Sequence, residues 1–193
     1  MIGFYKENQK MIHKLLINQI ALSALGLMVG FPVNALAVNY KLGNIPNLIA
    51  GIFTALMFFF VVYDSFWEWG TKYVSKKGNN IPTAKTAALC ALFAYIPTII
   101  LNIGYSVCYF LKLGALNIFK WILLLLCNGM HFGTLNFVLE YVPRAYSDLV
   151  QLIAFVLFTA LTVIVCAVGL KVGISGKTLF AGYFHRKTNT SNK

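Results

Sequence analysis

The sequence is poor in charge, and above all in acidic charge. Only 11% of its 193 residues are charged, and Asp and Glu together contribute five. Soluble domains average about 25% charged residues, because charged side chains cover the surface that faces water. Apolar residues make up 59% of the chain. This composition excludes a water-soluble enzyme, a disordered chain and a free nucleic-acid binder, and it predicts a multi-pass membrane protein.

The sequence also lacks the motifs of several enzyme classes. It contains no HExxH, no GxSxG, no Walker A phosphate loop and no GxGxxG dinucleotide motif. Its four cysteines lie inside apolar segments and form no CxxC pair, so neither a disulfide framework nor a thiolate metal site is expected. We therefore expect no enzymatic activity, no bound metal and no cofactor.

Five apolar runs predict an all-α, polytopic bundle of four to five transmembrane helices. The runs cover about 15–38, 45–63, 86–111, 121–138 and 149–170. A helix needs about 20 apolar residues to cross a bilayer. Residues 1–14 mix apolar and charged side chains and are expected to form a short interfacial helix. Residues 15–175 would then form the bundle, and residues 176–193 a basic cytoplasmic tail.

Two local features modify the predicted helices. Pro97 lies in the middle of the third run, where it predicts a kink, because proline removes a helical hydrogen bond. The first run ends in an Ala35-x-Ala37 pattern, which is typical of a signal-peptide cleavage site. That run is longer than a usual signal segment, and Asn18 and Gln19 interrupt it, so we interpret it as a retained helix.

The fourth run, 121–138, is the least suited to face lipid. Beyond Cys127 it contains several polar and glycine residues, and polar groups are costly in contact with lipid. If this run does not cross, twelve of the sixteen Lys and Arg residues lie on one side of the membrane; if it crosses, eight lie on each side. Because basic residues concentrate in the cytoplasm, the count favours four spans and a re-entrant or protein-packed helix on the outer side. Both termini would then be cytoplasmic in a bacterial plasma membrane; five plain spans are the alternative.

Glycines four residues apart predict close helix contacts. Such pairs place a smooth strip on one helix face, against which another backbone can pack. Gln19 and Ser23 continue the first of these faces, and we expect them to bond to a neighbouring helix. The faces suit either packing within the chain or docking of another membrane subunit or a second copy. The pairs are Gly26 with Gly30, Gly129 with Gly133, and Gly169 with Gly173.

Two groups of polar residues are candidate sites. The first would line an outward-facing vestibule that binds a ligand, because polar side chains within apolar runs mark solute pathways; it comprises Asn102, Asn128, His131 and Asn136. The second is Asp64 with Glu68, one helical turn apart, which could bind a cation or share a proton. The alternative for this acidic pair is an interfacial anchor in which Glu68 pairs with Lys72.

The sequence leaves two functions open. The first is an accessory or scaffold subunit of a membrane complex, assembled through the glycine faces. The second is a small transporter or substrate-binding membrane component, with a polar vestibule around His131. The expected partners are the lipid bilayer and, for the first function, other membrane subunits or a homo-oligomer.

Overall fold

The computed structural model describes residues 2–75 and 82–176. Within these ranges the chain is helical and forms no strand, so the predicted all-α bundle is confirmed. The expected basic tail beyond Gly176 lies outside the described residues. The helices are α1 (Ile2–Asn39), α2 (Ile45–Ser75), α3 (Ala84–Ala94), α4 (Ile96–Phe110), α5 (Leu116–Leu123), α6 (Phe132–Glu140) and α7 (Ser147–Ile174).

In the described part of the chain, four helical stretches are long and apolar enough to cross a membrane, and α3 with α4 would make a fifth. Residues 2–14 are the first turns of α1 and are not separated from it by a break. Helices α3 and α4 meet at an angle of 56°. The break falls at Tyr95, just before Pro97, so the kink expected in the third run is confirmed. The four stretches are Gly3–Asn39, Ile45–Val74, Leu116–Glu140 and Arg144–Ile174.

The bundle has two distinct ends. Helices α1 and α2 run antiparallel, since Lys14 Nζ lies 3.3 Å from Glu68 Oε2. Near its C-terminus α7 packs on the C-terminal half of α2, where Gly173 contacts Trp67. The start of α1 and the ends of α2 and α7 therefore share one end of the bundle, which we call the basic end. Residues 40–44, 111–115 and 141–146 lie at the opposite end, which we call the hairpin end.

Leu116–Glu140 enters the bundle from the hairpin end. Helix α5 continues into a π-helical turn at Leu124–Asn128 and then a 3₁₀ turn at Gly129–His131. The ring of Trp121, near the start, lies 6.4 Å from that of Phe31 in α1. Farther along, the carbonyl oxygen of Cys127 accepts a hydrogen bond from Gln19 at 3.4 Å. The segment thus travels from the C-terminal half of α1 towards its middle.

The same segment then turns back. The ring of Phe132 lies 4.7 Å from that of Phe31, the residue that Trp121 also contacts. In a straight helix Trp121 and Phe132 would be about 16 Å apart along the axis. At the end of α6, Glu140 accepts a hydrogen bond from Asn44. Leu116–Glu140 is therefore a helical hairpin that enters and leaves at one end, although its length alone would suffice for a span.

Glycines hold the hairpin and α7 against the long helices. Gly26 of α1 faces Gly129 and Met130 at the hairpin tip, and Gly51 of α2 faces Gly133. A Cβ atom at Gly169 would lie 2.7 Å from the carbonyl oxygen of Tyr63, closer than carbon and oxygen can pack. The glycine pairs of the sequence therefore make their contacts within the chain, where only a residue without a side chain fits.

We predict that Gly133→Ala destabilises the protein by about 1–3 kcal/mol, the usual cost of overpacking. Its Cβ atom would collide with the backbone of Asn47 and Gly51, which cannot move aside cheaply. The matched control is Gly114→Ala, because a Cβ atom there meets nothing within 4 Å. Thermal unfolding in detergent measures the difference, and equal unfolding temperatures for the two variants would contradict this packing.

Candidate functional site

The hairpin tip is held by side chains of the long helices. Ser23 Oγ donates a hydrogen bond to the carbonyl oxygen of Leu124 at 2.9 Å and accepts one from the Gly129 N–H at 2.6 Å. Thr54 Oγ1 of α2 donates to the carbonyl oxygen of Met130 at 2.6 Å. Irregular backbone within an apolar bundle needs such partners, because no bulk water can supply them.

Gln19 adds a second connection at the tip. Its Nε2 donates to Thr98 Oγ1 of α4 at 2.9 Å, besides its bond to Cys127. Gln19 and Ser23 thus bond to neighbouring helices as the sequence predicted, and the neighbours belong to the same chain. Together these bonds fix the depth at which the hairpin turns.

Between α1 and the two limbs of the hairpin, of which α5 is the first and α6 the second, lies a cavity of about 730 Å³. Its rim carries exposed residues of the hairpin end, and its inner wall is formed by α1, both limbs and the start of α7. Pockets of 300–1,000 Å³ are typical of small-molecule sites. The lining residues are Phe31, Asn34, Ala37, Val38, Lys41, Gly43, Asn44, Lys120, Trp121, Leu124, Phe132, Leu135, Asn136, Leu139, Glu140 and Gln151.

One wall of the cavity is aromatic. Phe31 of α1 lies between Trp121 and Phe132, one from each limb of the hairpin, with ring centroids 6.4 and 4.7 Å away. Phe132 is buried, whereas Phe31 and Trp121 are largely exposed. The wall thus exists only because the hairpin brings its two limbs to the same level of α1.

Four amide side chains supply most of the polar lining. Asn34 Oδ1 and Asn44 Oδ1 both accept hydrogen bonds from Asn47, at 2.9 and 2.6 Å. Asn136 is half-buried on α6. Gln151, in the second turn of α7, is only 1% exposed, and its Oε1 has no hydrogen-bond partner among the described residues. An unpaired buried acceptor costs about 1–3 kcal/mol, and because Gln151 Oε1 has almost no accessible surface, it is shielded from the cavity as well.

The charged groups of the lining lie towards the rim. Lys120 Nζ is 3.4 Å from Asp148 Oδ1 of α7, and Glu140 accepts a hydrogen bond from Asn44. Lys41 is exposed in the loop between α1 and α2. Of these three residues Lys120 is thus paired with an acid, whereas Glu140 is hydrogen-bonded to a neutral amide; amide and apolar side chains make up the rest of the lining.

The structure separates the four residues expected to line a vestibule. Asn136 lines the cavity, but Asn102, Asn128 and His131 are buried and do not. The ring of His131 stacks on Phe158 of α7 with centroids 3.7 Å apart. Asn102 Oδ1 and Asn128 Nδ2 have no hydrogen-bond partner among the described residues.

Sequence reasoning missed most of the polar lining. Asn34 follows Pro32 in the first run, and Asn44 lies in a loop, so neither carries a distinctive signal. Gln151 is the only amide in the fifth run, about 149–170, and a single amide in a transmembrane run is a signal for a buried polar contact or a site.

The acidic pair does not form a joint site in the described residues. Glu68 is engaged by two lysines, with Lys72 Nζ at 2.6 Å and Lys14 Nζ at 3.3 Å. Asp64 is exposed one turn earlier on α2. The Glu68–Lys72 pair expected of an interfacial anchor is present, and Lys14 adds a link between α1 and α2.

No group of three or more metal-ligating side chains occurs in the described part of the chain. All four cysteines are buried free thiols. Comparison with protein-family models, with curated proteins and with solved structures gives no match to this chain.

Proposed function

We propose that this protein binds a small polar solute in the cavity beside the hairpin, as a small transporter or as the substrate-binding component of one. The supporting observation is a cavity of ligand size beside the hairpin, lined by the amide side chains of Asn34, Asn44 and Asn136. Broken helices whose ends lie inside the bundle are a feature of transporter binding sites. This site differs from the vestibule expected around His131, because Asn136 is the one residue of that expected set that lines the cavity.

The accessory-subunit role has less support from the packing. It depended on glycine faces that are free to dock another chain, and these faces pack within the bundle. An accessory subunit would have to use a different, lipid-facing surface. Co-purification distinguishes the two functions, because a stable protein partner favours the subunit and a bound solute favours the transporter.

The solute-binding function predicts a bound small molecule that depends on Asn136. We expect native purification in mild detergent to yield a solute with the wild-type protein, and Asn136→Leu to reduce its occupancy at least tenfold, since leucine cannot form the amide's hydrogen bonds. The matched control is Asn117→Leu, an exposed asparagine of the first limb outside the cavity. Mass spectrometry of the extracted small molecules gives the measurement. Equal small-molecule content in all three samples would contradict the proposal.

We further propose that the basic end faces the cytoplasm of a bacterial plasma membrane and that the cavity opens outward. At the basic end lie Lys6, Lys10, Lys14, Lys72, Lys85 and Lys171, and six further basic residues occur in 76–81 and 177–193. The hairpin end has four, and basic residues concentrate in the cytoplasm.

This orientation predicts the behaviour of fusions at Lys193. A fluorescent protein that matures only in the cytoplasm should be bright when it is fused at Lys193. Alkaline phosphatase fused at the same residue should be inactive. An active phosphatase with a dark fluorescent fusion would place the C-terminus outside and contradict the orientation.

A further inference from the structure

The rim of the cavity carries two opposite charges that no ion pair neutralises within the described ranges. Lys41 is exposed and forms no ion pair there. Glu140 is exposed as well, and its carboxylate accepts a hydrogen bond from the neutral amide of Asn44. The third charged residue of the lining, Lys120, is already paired with Asp148. Lys41 and Glu140 are therefore available to a solute that carries charge.

These two charges lie at the same edge of the cavity. Lys41 and Asn44 belong to the loop 40–44 between α1 and α2, and Asn44 is the residue that bonds to Glu140. A solute with a single charge would satisfy one of the two groups and meet the other with the same sign or none. A zwitterion can satisfy both, through charge-assisted hydrogen bonds. Such complementarity determines which solute is selected.

The aromatic wall of the cavity lies deeper than the two charges. Phe31 packs between Trp121 and Phe132, with ring centroids 6.4 and 4.7 Å away. Helix α6 runs from Phe132 to Glu140, so the backbone at the wall is about 12 Å from the backbone at the charged edge. A flat apolar ring packs well on aromatic side chains. The lining therefore suits a solute with both charges at one end and a ring at the other.

We propose that the solute of this cavity is an aromatic α-amino acid, bound as its zwitterion. Its carboxylate binds Lys41, its ammonium group binds Glu140, and its ring packs on Phe31 and Trp121. Both of its charges are present near neutral pH. This assignment rests on the proposed solute-binding function.

The first test removes one feature of the solute at a time. Isothermal titration of the full chain in detergent would compare phenylalanine and tryptophan with alanine, which lacks the ring. Phenethylamine and tryptamine lack the carboxylate, and 3-phenylpropanoate and indole-3-propanoate lack the ammonium group. We expect at least one of the two aromatic amino acids to bind. Alanine and both one-charge analogues of that amino acid should bind at least tenfold more weakly.

The second test assigns each charge of the solute to its partner. In Lys41→Gln the amino acid should lose its advantage over the amine analogue, and in Glu140→Gln its advantage over the acid analogue. The matched controls are Lys112→Gln and Glu7→Gln, because both residues are exposed and lie outside the cavity. Lys112 also shares the positive φ of Lys41, 52° against 53°. The controls should keep both advantages, and their persistence in Lys41→Gln and Glu140→Gln would overturn the assignment.

The outcomes separate this inference from the function on which it rests. If a one-charge analogue or alanine binds as tightly as the amino acid in the wild-type protein, the aromatic amino acid is wrong and solute binding stands. The same holds if neither amino acid binds but native purification yields another solute. If no probe binds and no solute co-purifies, both proposals fall. If a variant does not fold, judged by its unfolding temperature, the comparison of ligands in the wild-type protein decides the result.

Discussion

The structure depends on one constraint, which is that backbone polar groups inside an apolar bundle must find partners in the protein. A continuous helix meets this constraint by itself, whereas a chain that reverses direction does not. At the hairpin tip the missing partners come from Gln19 and Ser23 of α1 and Thr54 of α2. Three polar side chains on two long helices thus stabilise a turn whose backbone groups would find no partners in lipid.

The turn has a geometric consequence, because both limbs of the hairpin leave at the same end. They meet the C-terminal half of α1 side by side, and the cavity lies between them. A straight span in the same place would have left no such space and would have carried Asn136 and Glu140 to the basic end. The close glycine contacts at Gly26, Gly51 and Gly133 keep the limbs against α1 and α2, so the cavity is a product of the same packing that holds the bundle together.

Much of the fold could be predicted because it is encoded locally. Apolar runs predicted the helices, Pro97 predicted the break between α3 and α4, and the Gln19–Ser23 face predicted bonds to a neighbour. The polar and glycine residues after Cys127 also indicated a segment that is unsuited to face lipid. Each of these signals occupies only a few consecutive residues or one helix face.

The candidate site could not be predicted in the same way. Its lining comes from α1, a loop, both hairpin limbs and α7, and only the reversal brings these parts together. His131 was a candidate because it is a histidine within an apolar run. Its ring stacks on Phe158 instead, and it does not line the cavity. Which residue a glycine packs against also depends on the whole bundle. The sequence therefore could not decide between packing within the chain and docking of another chain.

The reversal of the hairpin is most directly tested by cross-linking cysteines introduced at Asn44 and Glu140, whose side chains are hydrogen-bonded. A short thiol-specific cross-linker should join Asn44→Cys to Glu140→Cys in the membrane, against the background of four buried native cysteines. The pair Lys14→Cys with Glu140→Cys should stay unlinked, because Lys14 lies towards the basic end beside Glu68. Linkage of the Lys14 pair without linkage of the Asn44 pair would mean that the segment crosses the bundle, and the account would be wrong.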